Sequence, residues 1–276
     1  MLTSLRNPQV RLCRALAQRK IRDREGKFVL EGVRLLEEAL AAGVELERAF
    51  CCPALARTER ARRLARRLAD AADLVEVSEE VFRTLSDTTS PQGLLAIARR
   101  PDVRLADLKL GQRVLLLAVE DVRDPGNLGT IIRSADAARA TAVVLCGSCV
   151  DPTNPKVVRS TMGSLFHVPV VVEPDVGNLA QWATRNGIEL LAASMQGVRF
   201  CHETGLPQRL GFLVGGEAHG LSRKAREAAA GTVSIPMPGH AESLNVAVAA
   251  GILLYEAVRQ QSQRQPTQAK GDDGGK

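Results

Sequence analysis

Apolar positions along the first hundred residues follow two different periods. Where they recur every three or four residues, as Ala61, Leu64 and Leu68 do, the spacing predicts amphipathic helices. Short apolar runs between these segments predict strands. The predicted helices cover 1–20, 31–43 and 58–70, and the predicted strands cover 48–52, 74–77 and 93–98. The alternation indicates a small α/β unit.

From Arg113 onward the apolar runs are continuous, which is typical of a parallel sheet covered on both faces. The predicted strands are 114–119, 142–146, 167–172, 189–194, 211–216 and 232–237, and the predicted helices are 127–140, 177–186 and 244–260. The fold class is therefore α/β, and because knots are rare the pattern alone favours an unknotted, doubly wound sheet.

The segment between the two patterns, 101–112, is polar and predicts a domain boundary. We expect an N-terminal domain over 1–105, a second domain over 106–261 and a disordered tail over 262–276, which has almost no apolar residues. With 276 residues and 45% hydrophobic content, the chain can bury two cores. No apolar run reaches the roughly 18 residues of a membrane span, and no secretory signal is recognisable, so we expect a cytoplasmic protein without a membrane partner.

The net charge of +6 is concentrated near the start of the chain. Residues 1–105 contain 20 basic and 15 acidic residues, whereas the remainder is nearly balanced. Such a patch suits a polyanion, although charged helix faces are often only solvated. The residues expected to contact a nucleic acid are Arg11, Arg14, Arg19 and Arg22. The arginine-rich face of 58–70 is open to the same two interpretations.

Among the six cysteines, only Cys146 and Cys149 have metal or redox spacing. No second such pair and no neighbouring histidine pair accompanies them, so we expect two reduced thiols and no metal site. The nucleotide-binding glycine motifs and the G-x-S-x-G nucleophile motif are also absent from the sequence. Chemistry that depends on those motifs is therefore not expected.

Polar residues are concentrated in three loops that each follow an apolar strand. The first, VEDVRDPGNLGTIIRSADAARA, contains Asn127 and Arg133; the second, FLVGGEAHGLS, contains Glu217 after two glycines. The third, IPMPGHAESLNVAVAAGILLYEA, contains Ser243 and Asn245 at the start of an apolar helix. Because ligands bind at the carboxyl ends of strands in α/β proteins, the three loops predict one site.

These three segments, in this order, closely resemble the SPOUT class of RNA methyltransferases, and within it the SpoU/TrmH-like branch that methylates ribose 2′-hydroxyls. The resemblance extends upstream, where 25–43 and 84–98 look like a substrate-binding domain related to some ribosomal proteins. It implies a C-terminal domain tied in a trefoil knot, which the sequence pattern itself does not show.

The resemblance also implies the roles of individual residues. Asn127, Arg133, Glu217, Ser243 and Asn245 fall on the catalytic signature positions. The expected cofactor is S-adenosyl-L-methionine, and its expected contacts are Gly215, Gly216, Glu217, Gly220, Ile235 and Leu244. Since arginine stays protonated in proteins, Arg133 is better suited to stabilise the developing alkoxide than to act as a base.

Each of these residues also has a purely structural interpretation. Ser243, Asn245 and Glu217 are suited to cap a helix or turn, the glycines to form ordinary turns, and Arg133 to form a surface ion pair. His219 and His240 are alternative bases that match no signature position.

The resemblance implies a homodimer with the knot regions at its interface, in which Arg133 serves a site that the partner completes. The apolar helix 246–258 is a candidate contact surface. It implies ribosomal RNA of the large subunit as substrate, with antibiotic resistance as a function of some members; transfer RNA is the nearest alternative. A non-catalytic RNA-binding or ribosome-assembly factor on the same fold is the alternative from a different class. The target nucleotide and the general base are not encoded in any recognisable motif.

Overall fold

The computed structural model describes residues 1–195, 197 and 199–263. In this part of the chain the N-terminal region forms a four-stranded mixed sheet with strand order β1-β4-β2-β3, in which β4 is antiparallel to both of its neighbours. The strands are β1 (Lys27–Glu31), β2 (Leu46–Cys51), β3 (Asp73–Glu76) and β4 (Leu94–Arg99). The helices are α1 (Pro8–Ala15), α2 (Arg19–Glu25), α3 (Val33–Ala41), α4 (Glu59–Ala71) and α5 (Glu79–Leu85).

The helices cover both faces of this sheet. α1 and α5 enclose one cluster of buried side chains, while α3 and α4 cover the other face. The predicted helix over 1–20 is wrong in its bounds, because Asn7 caps a helix that ends at Ala15 and a second helix follows. Gly26, with a φ of 62°, ends that second helix and starts the edge strand β1, which the sequence pattern had not predicted.

The C-terminal region forms a parallel six-stranded sheet, as predicted, with order β10-β8-β9-β5-β6-β7 within the described residues. The strands are β5 (Val114–Glu120), β6 (Ala142–Cys146), β7 (Val170–Val172), β8 (Glu189–Ala193), β9 (Arg209–Gly215) and β10 (Gly231–Val233). The helices are α6 (Pro125–Ala137), α7 (Pro155–Ser160), α8 (Val176–Arg185), α9 (Arg223–Ala228) and α10 (Val246–Gln263).

Both faces of the parallel sheet are buried, which explains the continuous apolar runs. Every residue of the central strand β5 is buried. α6, α7 and α10 cover one face and α8 and α9 the other. Since β5 pairs Glu120 with Gly215 of β9 and with Cys146 of β6, three strands end at the same edge. The α/β fold class is confirmed, and the threading of a trefoil knot stays a prediction.

The two sheets are joined by a buried ion pair between Arg22 of α2 and Asp151, which precedes α7. Arg22 is 2% exposed and donates from Nε and Nη2 to Oδ2 of Asp151 at 2.9 and 2.6 Å. Its Nη1 donates to the carbonyl oxygens of Leu16 and Ala17. The prediction that Arg22 binds RNA is therefore wrong, because its guanidinium is committed inside the protein.

The segment that links the sheets packs on the C-terminal one, where Leu105 is buried and Leu108 and Leu110 lie against the α8 side. The domain boundary between 105 and 106 stays a prediction. The predicted disordered tail is wrong for residues 262 and 263, which belong to α10, and its remainder lies outside the described residues. None of the helices in the described ranges has the length and apolar character needed to cross a membrane.

Candidate active site

A cavity of about 600 Å³ lies where β9 and β10 end and α10 begins. It is enclosed by the loop after β9, the segment after β10 and the first turn of α10. All six residues predicted to contact the cofactor line it: Gly215, Gly216, Glu217, Gly220, Ile235 and Leu244. Ser243 and Asn245 also line it, so two of the three predicted loops meet at this cavity.

The glycines of the second loop are required by the loop itself. A Cβ atom on Gly215 would lie 2.0 Å from the carbonyl carbon of Gly220, and one on Gly216 would lie 2.4 Å from the carbonyl oxygen of Asp121. Gly220 has a φ of 62°, which favours glycine. Backbone crowding at Gly215 and Gly216 and the positive φ of Gly220 already require glycine at these positions. The close approach of a ligand is therefore not needed to explain them.

The first loop joins the other two through a chain of side-chain hydrogen bonds. Asn127 donates from Nδ2 to Oε1 of Glu217, and its Oδ1 accepts from Nδ2 of Asn245 at 3.1 Å. Asn245 in turn accepts from the backbone N–H of Ala247 at 2.9 Å, which caps α10. Three of the five predicted catalytic residues therefore form one hydrogen-bonded relay beside the cavity, which we call the Glu217–Asn127–Asn245 relay.

The two interpretations of the third loop can now be separated. Asn245 is both a helix cap and a member of the relay, so its structural and site roles coexist. Ser243 is exposed, and no hydrogen bond joins its side chain to the residues that the structure describes. Its hydroxyl is therefore free to meet a ligand in the cavity.

Arg133 stands apart from the relay. It lies six residues after Asn127 on α6, which places it about 9 Å along the helix axis and about 120° around it. Its side chain is exposed and forms neither an ion pair nor a hydrogen bond within the described part of the chain. Arg133 therefore has no partner for a surface ion pair among the described residues. The structure also does not bring it to the cavity of its own subunit.

The remaining candidate groups are less well placed for chemistry. His219 is exposed and lines the cavity, whereas His240 is exposed and does not line it. Burial raises the pKa of Cys146 to about 12, with the neighbouring Cys149 adding to it, and burial raises the pKa of Cys149 to about 11. Both thiols therefore stay protonated at neutral pH, and no metal-binding cluster occurs among the described residues.

The sequence reasoning missed other parts of the cavity wall. The wall also includes three apolar side chains: Ala193 at the end of β8, Met195 two residues later and Met237 after β10. Arg226 of α9 also lines the cavity and donates from Nη1 to the carbonyl oxygen of Leu221 at 2.5 Å. Small and apolar residues at strand ends have no distinctive sequence pattern. Arg226 could have been found from the sequence, because it is a basic residue shortly after the predicted loop that contains Glu217.

Sequence profiles of two families match the chain. That of the SpoU rRNA methylase family covers residues 114–255, more than half of the protein, and includes the relay and the whole cavity wall. The chain belongs to the SpoU rRNA methylase family. The second profile, that of the MRM3-like substrate binding domain, covers residues 7–96, which include β1, β2, β3 and the first half of β4. The family membership expected from the three loops is thereby confirmed.

Related proteins span almost the whole methylase chain. RlmP of Bacillus subtilis, a 23S rRNA guanosine 2′-O-methyltransferase, is 34% identical, and the match covers 92% of this chain and 97% of RlmP. AviRb of Streptomyces viridochromogenes in complex with AdoMet gives a TM-score of 0.86 at 32% identity, over 94% of this chain and 100% of that one. The AdoMet-bound rRNA methyltransferase of Sinorhizobium meliloti gives 0.83 at 33%, over 94% and 97%.

The cavity fits S-adenosylmethionine, the methyl donor of this family. Its volume lies within the roughly 300–1,000 Å³ of ligand sites. Ile235 and Leu244 provide apolar surface, and the charged groups on the wall include a carboxylate, Glu217, and a guanidinium, Arg226. The wall therefore carries charges of both signs.

Proposed function

We propose that this methylase transfers a methyl group from S-adenosylmethionine to a ribose 2′-hydroxyl of ribosomal RNA, in the large subunit. The observation that carries the proposal is the Glu217–Asn127–Asn245 relay beside a cavity of cofactor size. RlmP, named as acting on 23S rRNA, supports the choice of substrate. We place the activity in the cytoplasm, since bacterial relatives are named as 23S rRNA methyltransferases.

The residues around the cavity have different roles in the proposed reaction. S-adenosylmethionine, when bound, supplies the electrophilic methyl group. Glu217 and the loop around it form the wall that orients the ligand, and Asn127 holds this wall to the start of α10. Ser243, whose hydroxyl has no partner within the described residues, contacts the reacting groups. Orientation of this kind is a large part of catalysis when the acceptor is a weak nucleophile.

Arg133 completes the site from a second copy of the chain. It lies on the exposed face of α6, and the neighbouring residue Ser134 approaches Gly251 of α10. α10 exposes an apolar stripe of Val248, Ile252 and Tyr255, at 51%, 38% and 54% exposure. An exposed apolar stripe at helical spacing suits a dimer interface, and α10 packs against α6, the helix that contains Arg133. In this dimer each Arg133 serves the partner's cavity.

The proposed activity is tested by transfer of labelled methyl groups in vitro and by mapping in cells. We expect the purified protein to methylate large-subunit rRNA, and a deletion strain to lose one ribose methylation that the intact gene restores. Methylation of transfer RNA instead would revise the substrate. If neither RNA is methylated while cofactor binding persists, the protein is a binding factor on the same fold.

The dimer is tested by placing a charge on the apolar stripe. We expect Ile252→Glu to convert the protein to a monomer, because a carboxylate buried in the interface has no partner there. Light scattering measures the oligomeric state, and methyl transfer should be lost while the monomer still binds the cofactor. Val172→Glu is the matched control, since Val172 is 45% exposed on the edge strand β7. A dimeric Ile252→Glu variant would contradict the proposal.

RNA binding through the N-terminal helices is tested on the three predicted arginines that remain exposed, Arg11, Arg14 and Arg19. Their joint replacement by alanine should weaken RNA binding and reduce its salt dependence by about one unit of slope for each phosphate that the protein no longer binds. Cofactor affinity should stay unchanged.

The control for this triple variant comes from α4, which covers the opposite face of the sheet. Replacing Arg62, Arg63 and Arg66 removes the same charge from a second exposed face. Filter binding over a range of salt concentrations compares the two variants. Equal losses would contradict a contact specific to α1 and α2, because they would indicate either a general charge effect or a second contact by α4.

A further inference from the structure

Glu120 is a buried carboxylate at the end of the central strand β5, beside the cavity wall. The residue is only 6% exposed, yet no ion pair within the described chain involves it. Its Oε2 accepts from the backbone N–H of Ser222 at 2.7 Å, and its Oε1 accepts from the hydroxyl of Ser222 at 2.8 Å. A buried charge is costly, so hydrogen bonds to one distant residue must offset that cost here.

The same residue holds the other end of the loop. The carbonyl oxygen of Glu120 accepts from the N–H of Gly216 at 2.7 Å, at the point where β9 ends. The loop from Gly216 to Ser222 is therefore attached to the end of β5 at its first and last residues. Between these attachments lie Glu217, which belongs to the relay, and His219, which lines the cavity.

We infer that Glu120 is a positioning residue for the cofactor: its carboxylate holds the loop from Gly216 to Ser222 in the shape that forms the cavity wall. The loop contains two glycines, Gly216 and Gly220, whose conformational freedom makes ordering unfavourable. A loop that is ordered in advance does not lose that freedom on binding, so the affinity is higher. The inference concerns the cofactor site of the proposed function and rests on it.

The geometry distinguishes positioning from a direct charge effect. Glutamine at this position keeps the reach of the side chain, accepts from the N–H of Ser222 and donates to its hydroxyl oxygen. Aspartate keeps the charge but is one methylene shorter, so it cannot reach both groups. If Glu120 positions the loop, Glu120→Gln retains most of the affinity and Glu120→Asp loses it. If Glu120 attracts the sulfonium by its charge, the order is reversed.

The test is calorimetric titration of the full-length protein, without RNA, with S-adenosylmethionine and with the product S-adenosylhomocysteine, which lacks the sulfonium charge. We expect Glu120→Ala to raise the Kd of both ligands by about tenfold to a hundredfold, which is the loss that one or two hydrogen bonds to a charged group produce. In methyl transfer, the KM for the cofactor should rise by a similar factor while kcat at saturation changes much less.

The chain offers a matched control in Glu31, a second buried carboxylate that is 8% exposed. It accepts from the hydroxyls of Ser86 and Thr88 and from the N–H of Asp87, in the other domain. Glu31→Ala should lower the melting temperature as Glu120→Ala does, without a change in cofactor affinity. Ser222→Ala, which removes one of the two donors, should weaken binding less than Glu120→Ala and non-additively with it.

Each outcome decides the inference. A Kd for Glu120→Ala within twofold of the wild type, with a melting temperature lowered as in Glu31→Ala, would show that Glu120 only stabilises the fold. If the Glu120→Asp variant binds the cofactor normally and the Glu120→Gln variant does not, Glu120 acts through its charge and not by positioning the loop. If Glu120→Ala does not fold, the comparison of the Gln and Asp variants decides alone. A wild-type protein that binds neither ligand would overturn the proposed function itself.

Discussion

Arg133→Ala is expected to lower the turnover of methyl transfer by about a hundredfold to a thousandfold, while the fold and the cofactor affinity stay unchanged. The charge of Arg133 acts when the ribose oxygen becomes anionic. Its removal therefore destabilises the transition state and leaves ground-state binding unchanged. The exposed position of the side chain, without a partner in the described chain, explains why stability should not change. Single-turnover transfer to an rRNA fragment measures the effect.

Two further variants test how Arg133 acts. Arg133→Lys should restore little activity, because an ammonium lacks the planar fork that can face a phosphate and an alkoxide together. Mixed dimers of an Arg133→Ala subunit and an Asn245→Ala subunit should recover activity if Arg133 serves the partner, since one of the two sites then has no defect. Mixed dimers without activity would place Arg133 in its own subunit's site, and near-normal transfer by Arg133→Ala would leave His219 as the better candidate.

Asp151→Ala is expected to lower the free energy of unfolding by about 3–5 kcal/mol, because it leaves the guanidinium of Arg22 buried without its counter-charge. The pair is almost inaccessible, with side-chain exposures of 2% and 3%, so solvent cannot replace the missing carboxylate. Denaturant unfolding followed by circular dichroism measures the change.

The matched control for this variant is the exposed ion pair between Arg48 and Asp73. It has the same 2.6 Å separation, but its side chains are 24% and 59% exposed. Asp73→Ala should cost no more than about 1 kcal/mol, as exposed pairs generally do. Equal costs for the two variants would show that the buried pair does not hold the domains together.

The same ion pair predicts sensitivity to acid. Burial acts to raise the pKa of Asp151, but hydrogen bonds from Thr153 and Arg22, with the charge of Arg22, hold it below its ordinary value. A group with a lowered pKa contributes stability above its unfolded-state pKa and loses it as the pH falls through the folded-state pKa. The wild type should therefore lose this contribution below about pH 4, and Asp151→Ala should lack that part of the acid transition.

The parallel sheet could be predicted because strands buried on both faces must be apolar throughout, and β5 is the clearest case. The short helices α5, α7 and α9 could not, because six or seven residues are too few to show a helical period. The strand β1 was missed because it follows directly on a helix that Gly26 ends. A sequence pattern predicts a helix or strand from the regular spacing of its apolar residues. These elements are too short, or too close to a neighbouring element, to show a regular spacing.

The candidate site was predictable to the extent that topology brings strand ends together. Asn127, Glu217 and Asn245 meet because β5 and β9 are neighbours and α10 packs beside α6. Arg22 was misjudged because a charge count cannot tell which face of a short helix packs against another domain. Glu120 was passed over because a carboxylate at the end of an apolar strand resembles an ordinary boundary residue, and only the structure shows its two bonds to Ser222.

The Glu217–Asn127–Asn245 relay also has a direction. A backbone N–H of α10 needs an acceptor at one end, and the carboxylate of Glu217 needs a donor at the other. These two requirements fix the orientation of the side-chain amides of Asn127 and Asn245, because rotating either amide by half a turn would place two donors or two acceptors against each other. Replacing Asn245 by aspartate would therefore preserve the helix cap yet place an oxygen against an oxygen at Asn127, so the exchange of one amide for a carboxylate would disconnect the loops while leaving the fold intact.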